Sequence, residues 1–368
     1  MPPKGIYRIL VCRPNHRLGN TLLLTPLIAE LERTYKGAEI DILSEGSIAA
    51  EVFSTFFSVK NIYCLPRRGF KHPWAFLSLL FRIRKIRYDL IIDPCLGSNF
   101  SRATTKFLNG RYKLGFDDRM GGSGLTHAVP RSAAMPHMAK RAINLVRWIN
   151  SRTDGDDKEF PSMDIRLTAN ERERGKRFLA GILSDSDRPI ARPLLGMFAN
   201  ATGAKRYPQA WWDKFIAALV EQLPHAGIVE FVPMHGKSML DSAWPAYYSS
   251  DIRRMGAVMA AVDLVVSADC GVMHLAVASG VPTVGMFCTT DPTVYEPYGH
   301  ESGALSTCGL SARDCAERIV AAYRDVLVRA SIQGRLHAGD DNSARPQPAA
   351  SVRQQDARAP EVPPVHPR

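Results

Sequence analysis

The sequence is short of the features that define several protein classes. Its seven cysteines (12, 64, 95, 270, 288, 308 and 315) include no C-x-x-C pair. An odd, dispersed set argues against a disulfide framework or a zinc site and for reduced thiols in the cytosol. No uncharged apolar run is long enough to cross a bilayer: the most apolar stretch, 257–288, holds Asp263, Asp269 and His274. No secretory signal is apparent, since the first apolar segment, Ile6 to Cys12, is broken by Arg8 and reads as a strand. A cytoplasmic protein is therefore expected. There is no G-x-G-x-x-G, which weighs against a dinucleotide dehydrogenase, and no G-K-[ST] at Walker spacing. No helix-turn-helix, RNA-binding aromatic pattern or zinc module supports a nucleic-acid partner. From Ser331 onward Pro, Arg, Gln, Ala and Asp dominate, a composition too poor in apolar residues to build a core, so residues 331–368 are expected to be disordered.

What is present is enough for two cores. The chain has 368 residues with ordinary apolar and charged fractions. Its net charge of +11 is unevenly spread: residues 1–150 carry 23 Lys and Arg against 10 Asp and Glu, whereas residues 151–329 carry 19 against 22. An N-terminal half this basic suggests an anionic partner such as nucleic acid, an anionic membrane face or a phosphorylated glycolipid; the plain alternative is a well-solvated basic surface. Buried-looking strands alternate with amphipathic helices throughout, the pattern of parallel sheets covered by helices. Residues 6–12 read as a strand, 13–20 as a polar loop, 21–37 as a helix carrying Pro26 in its first turns, and 39–43 as a second strand. The apolar segment 74–86 ends in Arg82, Arg84 and Lys85; core packing is favoured over membrane contact because the apolar run is short.

The stretch that organises the second half is VDLVVSADCGVMHLAVASGVPTVGMFC, 262–288. Val262 to Val266 reads as a buried strand, 267–271 as a polar turn, 273–279 as a short helix closed by Gly280, and 281–287 as the next strand. In such a βαβ unit the ligand end lies at the strand's carboxyl edge, where Asp269, Gly271 and His274 fall beside a helix N-terminus suited to an anion. The alternative is that Asp269 caps the helix and His274 packs in the core. Upstream, Asn200-Ala201-Thr202-Gly203-Ala204-Lys205-Arg206 follows another strand; flexible amides next to cations suit a diphosphate.

The motif DCGVMHLAVASGVPTVGMF resembles the donor-site motif of glycosyltransferase family 9, the lipopolysaccharide heptosyltransferases, with Cys270 in place of the usual Thr or Ser. RPNHRLGNTLLLTPLI resembles the family's N-terminal motif, DLIIDP (89–94) its D-L-x-x-D strand, and Lys113-Leu114-Gly115-Phe116 its K/R-x-G-F strand. The resemblance covers roughly residues 6–330. It implies an α/β fold of the GT-B type, two Rossmann-like domains facing each other across a cleft. Residues 1–165 would bind the acceptor, 166–330 the nucleotide sugar, and 331–368 would form the tail.

The resemblance also implies an inverting, metal-independent transfer of a sugar, from ADP-heptose, to a lipid-linked saccharide such as lipopolysaccharide core. No cofactor and no metal are expected, and no metal-ligand cluster is visible. Thr202, Gly203, Lys205, Asp269, Cys270, Gly271 and His274 are assigned to the donor, with Thr289 and Thr290 as contacts of the closing loop. Arg13, Arg17, Gly19 and His137 are assigned to the acceptor. Family members place an acidic base after the glycine of the N-terminal motif, whereas this chain has Asn20, and an amide cannot take a proton at neutral pH. Asn20 is left to orient the acceptor, Asp93 is the proposed substitute base (or a helix-capping acid), and Lys205 would stabilise the leaving diphosphate. The partners expected are a nucleotide-diphosphate sugar, an anionic lipid-linked saccharide and the inner face of the cytoplasmic membrane, held peripherally, with no nucleic acid. The rival reading is a non-catalytic binding or scaffold relative that lost its base at Asn20.

Overall fold

The computed structural model describes residues 3–67, 71–117, 124–151, 159–184 and 192–341. Two lobes each carry one six-stranded sheet in which every pairing is parallel. The N lobe runs β1 (Arg8–Cys12), α1 (Leu18–Leu22), α2 (Thr25–Thr34), β2 (Glu39–Glu45), α3 (Ile48–Val52), β3 (Val59–Leu65), α4 (Pro73–Arg84), β4 (Tyr88–Asp93), α5 (Asn99–Phe107), β5 (Gly110–Asp117), β6 (His127–Pro130) and α6 (Met138–Ser151). The C lobe begins with α7 (Ala169–Ser184) and continues β7 (Leu194–Phe198), α8 (Gln209–Gln222), β8 (Gly227–Phe231), β9 (Ala246–Tyr247), α9 (Ile252–Met259), β10 (Leu264–Ala268) and α10 (Gly271–Ala278). It closes with β11 (Thr283–Phe287), α11 (Pro292–Tyr295), β12 (Gly303–Ser306), α12 (Ala312–Ala322) and α13 (Arg324–Asp341).

The strand orders are β3-β2-β1-β4-β5-β6 and β12-β11-β10-β7-β8-β9. Both are the doubly wound order, in which the chain turns outward in opposite directions from a central pair. The central pairs are β1/β4 and β7/β10. Their strands, such as YDLIID (88–93) and LVVSA (264–268), are almost wholly buried on both faces, as parallel strands sandwiched between helices must be. A crevice opens at the carboxyl ends of each central pair, so the loops after β1, β4, β7 and β10 are placed to bind ligand.

Two sequence expectations change here. The single helix expected over 21–37 is two, because Pro26 in the first turn of α2 cannot continue the hydrogen-bond ladder from α1. As a result Gly19 and Asn20 lie inside α1 and not in the loop before it. The tail expected from Ser331 is helical as far as Asp341; that expectation averaged a proline-free start with the proline-rich remainder, and 342–368 lie outside the described residues. Thr168 and Glu171 form a capping box at the start of α7, with Glu171 N donating to Thr168 Oγ1 (3.2 Å) and Thr168 N to Glu171 Oε2 (2.8 Å).

The largest buried apolar cluster runs from one lobe into the other, through Leu22, Leu24, Ile165, Val258 and Leu275. Polar contacts reinforce the join: Ile165 N donates to Ala278 O (2.8 Å), Thr55 Oγ1 to Ile165 O (3.1 Å), and Arg166 is paired with Glu32. Among the described residues no helix is long and apolar enough to cross a membrane.

Candidate functional site

The loop after β7 and the turn after β10 meet. Thr202 and Gly203 are exposed at the loop's tip, and a 3-10 turn, Gly203–Lys205, carries Lys205 towards β10. Gly203 has φ +62° with open space around it, so glycine is needed there for the backbone twist and not for room. Lys205 Nζ lies 2.6 Å from Asp269 Oδ2, and Thr290 Oγ1 donates to the same oxygen at 2.7 Å. Asp269 is buried and Lys205 half-exposed, so the cation stands at the mouth of the crevice. Asp269 does not cap α10; that place is taken by Cys270, whose Sγ lies 3.7 Å from Ser267 Oγ and whose thiol is pushed up by burial.

His274 is buried one turn into α10. Burial lowers its pKa to about 4, against the pull of the Asp269 charge, so the ring is neutral at physiological pH. Its Nδ1 is buried without a hydrogen-bond partner among the described residues. An unsatisfied buried polar atom carries a cost that folded proteins rarely retain outside functional sites.

The N lobe closes on this crevice through glycine. A methyl built on Gly271 would stand 3.0 Å from the Gly19 nitrogen, and one built on Gly19 would stand 3.1 Å from His274 Cδ2. The start of α1 thus packs directly on the start of α10, and any side chain at either glycine would hold the lobes apart. Asn20, one residue on, donates from Nδ2 to Asn15 Oδ1 (3.0 Å), which also receives Arg17 N (2.9 Å). Asn15 was not singled out from the sequence; a polar residue in a polar loop gives no signal. The Arg17 side chain is exposed.

Arg13 is half-buried at the carboxyl end of β1, with Nη1 3.2 Å from Cys95 Sγ across the central pair. It belongs to a cationic group the sequence did not reveal. Burial lowers the pKa of Arg141, the Tyr295 hydroxyl opposes this, and the charges of Arg13 and Arg131 lower it further. These three arginines come from the loop after β1, the turn after β6 and α6, and only the tertiary fold lets their charges act on one another.

Two of the predicted site residues are engaged elsewhere. Asp93 is fully buried, and it accepts from Ser101 Oγ (2.6 Å), Arg102 Nε (2.9 Å) and Cys95 N (3.1 Å). Burial raises its pKa against those three donors, but no face of the carboxylate is open to an acceptor. Its role is to anchor α5 to β4, which corrects the expectation of a substitute base. His137 is likewise closed. Its Nδ1 accepts from Ala139 N (3.3 Å) and Lys140 N (3.4 Å), so Nε2 carries the proton and donates to Glu296 O (2.9 Å). Its ring packs edge-on to Tyr298, and burial lowers its pKa. His137 caps α6 and pins it to the C lobe, so contact with acceptor is not its place.

A separate groove of about 1120 Å³ is lined by α3, α7 and α9 residues such as Glu51, Arg174, Phe178 and Arg254. None of the residues assembled at the crevice lines it. Among the described residues no group of three or more His, Cys, Asp or Glu is placed to hold a metal ion.

Residues 250–321, which span α9 to α12 and include the Asp269–His274 turn, match glycosyltransferase family 9 (heptosyltransferase). No curated protein sequence matches the chain significantly. Among solved structures, the glycosyl transferase family 9 protein from Veillonella parvula is similar with a TM-score of 0.70 at 16% identity, over 89% of this chain and 99% of that one. The E. coli heptosyltransferase WaaC, solved with ADP, gives 0.65 at 18% identity over 86% and 99%. The E. coli ADP-heptose lps heptosyltransferase II gives 0.65 at 18% over 88% and 99%. At these identities the likeness is one of fold, the two-lobed GT-B architecture. Together with the family match it bears out the resemblance read from the sequence and supports a transferase enzyme.

Proposed function

We propose that this chain, which carries the glycosyltransferase family 9 signature on a heptosyltransferase-type fold, moves a sugar from a nucleotide diphosphate sugar to an anionic lipid-linked saccharide. The observation that carries the proposal is the 2.6 Å pair of Lys205 and Asp269, which joins the phosphate-type loop and the family motif in one crevice. ADP-heptose is the favoured donor, because the E. coli relatives are described with ADP or as ADP-heptose enzymes.

In this reading the diphosphate lies at the N-terminus of α10, where the helix dipole favours an anion beside Gly271. Thr202 and Gly203 contact phosphate oxygens from the facing loop. Lys205 passes from Asp269 to the diphosphate, where its charge offsets the negative charge that grows on the leaving group. Asp269 and neutral His274 orient the sugar. On the opposite wall Arg13, Arg131 and Arg141 meet the anionic acceptor, and Asn20 orients its hydroxyl.

Inversion requires the acceptor hydroxyl to attack the anomeric carbon from the face opposite the diphosphate and then to lose its proton. Asn20 cannot take that proton, and Asp93 is sealed. The proton therefore leaves to solvent or to an oxygen of the departing diphosphate. The absence of an acid at position 20 also keeps the second reading alive, a relative that binds a nucleotide sugar without transferring it.

The test is a thermal-shift screen against ADP-, UDP-, GDP- and dTDP-sugars, followed by an assay for nucleotide release with a lipid-linked acceptor. A ligand at 100 times its dissociation constant adds roughly 2.7 kcal/mol of stability. A shift with one nucleotide sugar and release of its nucleotide supports transfer. A shift without release supports the binding reading, and no shift from a well-folded protein defeats both.

A further inference from the structure

The helix α4 has two apolar faces and only one is buried. Leu80 and Ile83, with Phe76 and Leu79 beside them, pack into the N-lobe core. Trp74, Leu77 and Phe81, spaced by three and four residues, form a second stripe with 83%, 42% and 53% of their surface exposed. Phe100 at the start of α5, 44% exposed, extends it, its ring 5.8 Å from that of Phe76. Three of the ten large hydrophobic side chains exposed among the described residues thus fall on one helical stripe, and a fourth, Phe100, adjoins the same helix through Phe76. The core packing expected of this segment is thus present on one face of α4, and the second face is exposed.

Cations border the stripe. Lys71, Arg82, Lys85 and Arg87 are all exposed. Among the described residues none of them is in an ion pair, and between Glu51 and Asp117 the sequence has only two acids, Asp89 and Asp93. Asp89 accepts from Tyr7 N and Arg8 N, and Asp93 is buried against Arg102. An aromatic stripe bordered by exposed Lys and Arg, of which Arg82 lies over the Tyr63 ring, matches the two layers of an anionic bilayer surface, aromatic rings at the headgroup boundary and cations on the phosphates. A protein partner of equal fit would need an acidic rim, whereas the bilayer supplies that charge uniformly.

The position of the patch gives it a use. In a parallel sheet each following helix starts from the carboxyl edge, so Trp74 at the start of α4 and Phe100 at the start of α5 lie at the edge that bears Arg13.

We propose that the face formed by Trp74, Leu77, Phe81 and Phe100 with Arg82 and Lys85 docks the N lobe on an anionic membrane surface and presents the acceptor crevice to lipid-borne saccharide. The delivery role rests on the transfer reading above; the docking itself does not.

The test is flotation of the full chain with phosphatidylcholine vesicles, with and without phosphatidylglycerol, across a salt series. Binding to the anionic vesicles alone, weakening with salt, is expected. The double variant Trp74→Ser/Phe81→Ser is expected to weaken it about tenfold or more, a loss of roughly 1.4 kcal/mol or above. Arg82→Gln/Lys85→Gln is expected to flatten the salt dependence. Because these side chains are exposed, all variants should keep the wild-type melting temperature. No flotation with either vesicle, or flotation unchanged in the apolar variant, overturns the proposal. So does a wild-type dimer in sedimentation velocity that the apolar variant dissociates, since a second copy would then cover the face. Flotation uses no substrate, so its failure leaves sugar transfer standing, and a silent nucleotide-sugar screen leaves docking standing.

Discussion

Lys205 Nζ and Asp269 Oδ2 lie 2.6 Å apart although 64 residues of chain separate them. They close a crevice between the loops that leave β7 and β10, the two central strands of the C-lobe sheet. Replacing Lys205 by Ala leaves a buried carboxylate with, among the described residues, Thr290 as its remaining side-chain donor, and removes a cation poised at the donor crevice. The expected outcome is a fall in kcat of about 10²-fold or more, the usual loss when a charge-stabilising donor is deleted. Lys205→Arg should retain part of the activity. Nucleotide-release kinetics measure both.

Gly271→Val tests the closeness of the lobes. Even its first added carbon meets the Gly19 nitrogen at 3.0 Å and Leu18 Cβ at 3.4 Å. The lobes must part by a fraction of an ångström or more, and displacements of about 1 Å at reacting groups can cost on the order of 10²-fold in rate. Activity should fall by about that factor while each lobe stays folded. Small-angle scattering and circular dichroism, read beside the kinetics, would separate parting from unfolding.

Asp93→Asn should behave as a structural lesion. It leaves Arg102 buried with a neutral partner, and breaking a buried pair typically costs about 3–5 kcal/mol. Urea unfolding should show that loss. If the folded variant instead lost activity at unchanged stability, Asp93 would be the base after all.

Asn20→Asp places a carboxylate at the head of α1, facing the Asn15 side-chain carbonyl unless that amide rotates. If transfer is limited by removal of the acceptor proton, the rate should rise and acquire an acidic limb in its pH profile. An unchanged rate and profile in an active enzyme would show that position 20 orients the acceptor and does not handle its proton.

His274 gives a stability prediction with a definite sign. Its pKa is lowered from the ordinary histidine value near 6.5 to about 4. Between those values the unfolded chain takes up a proton that the native state refuses, so stability is full above about pH 6.5 and is lost as pH falls towards 4. His137 shifts in the same direction and adds to the effect. His274→Gln removes one contribution, so its stability should fall less than wild type between pH 7 and pH 4, by up to about 3 kcal/mol. Parallel urea curves at the two pH values decide it.

The sequence by itself determined the local alternation. Short apolar runs alternating with amphipathic helices read as buried parallel strands, and the glycine and polar punctuation after 12, 199 and 268 placed the ligand loops at strand ends. The family motif at 269–287 has its meaning in short range, where each residue is within one turn of the next. Which acids are free was a tertiary matter. Asp93 and Asp269 both end buried-looking strands and look alike in sequence, yet one is closed by Ser101, Arg102 and Cys95 and the other turns to Lys205 and Thr290. The same holds for His137, for the Arg13–Arg131–Arg141 group and for the stripe of α4. Periodicity states that a helix has an apolar face, but only packing states whether another element covers it, because burial depends on neighbours that are distant along the chain.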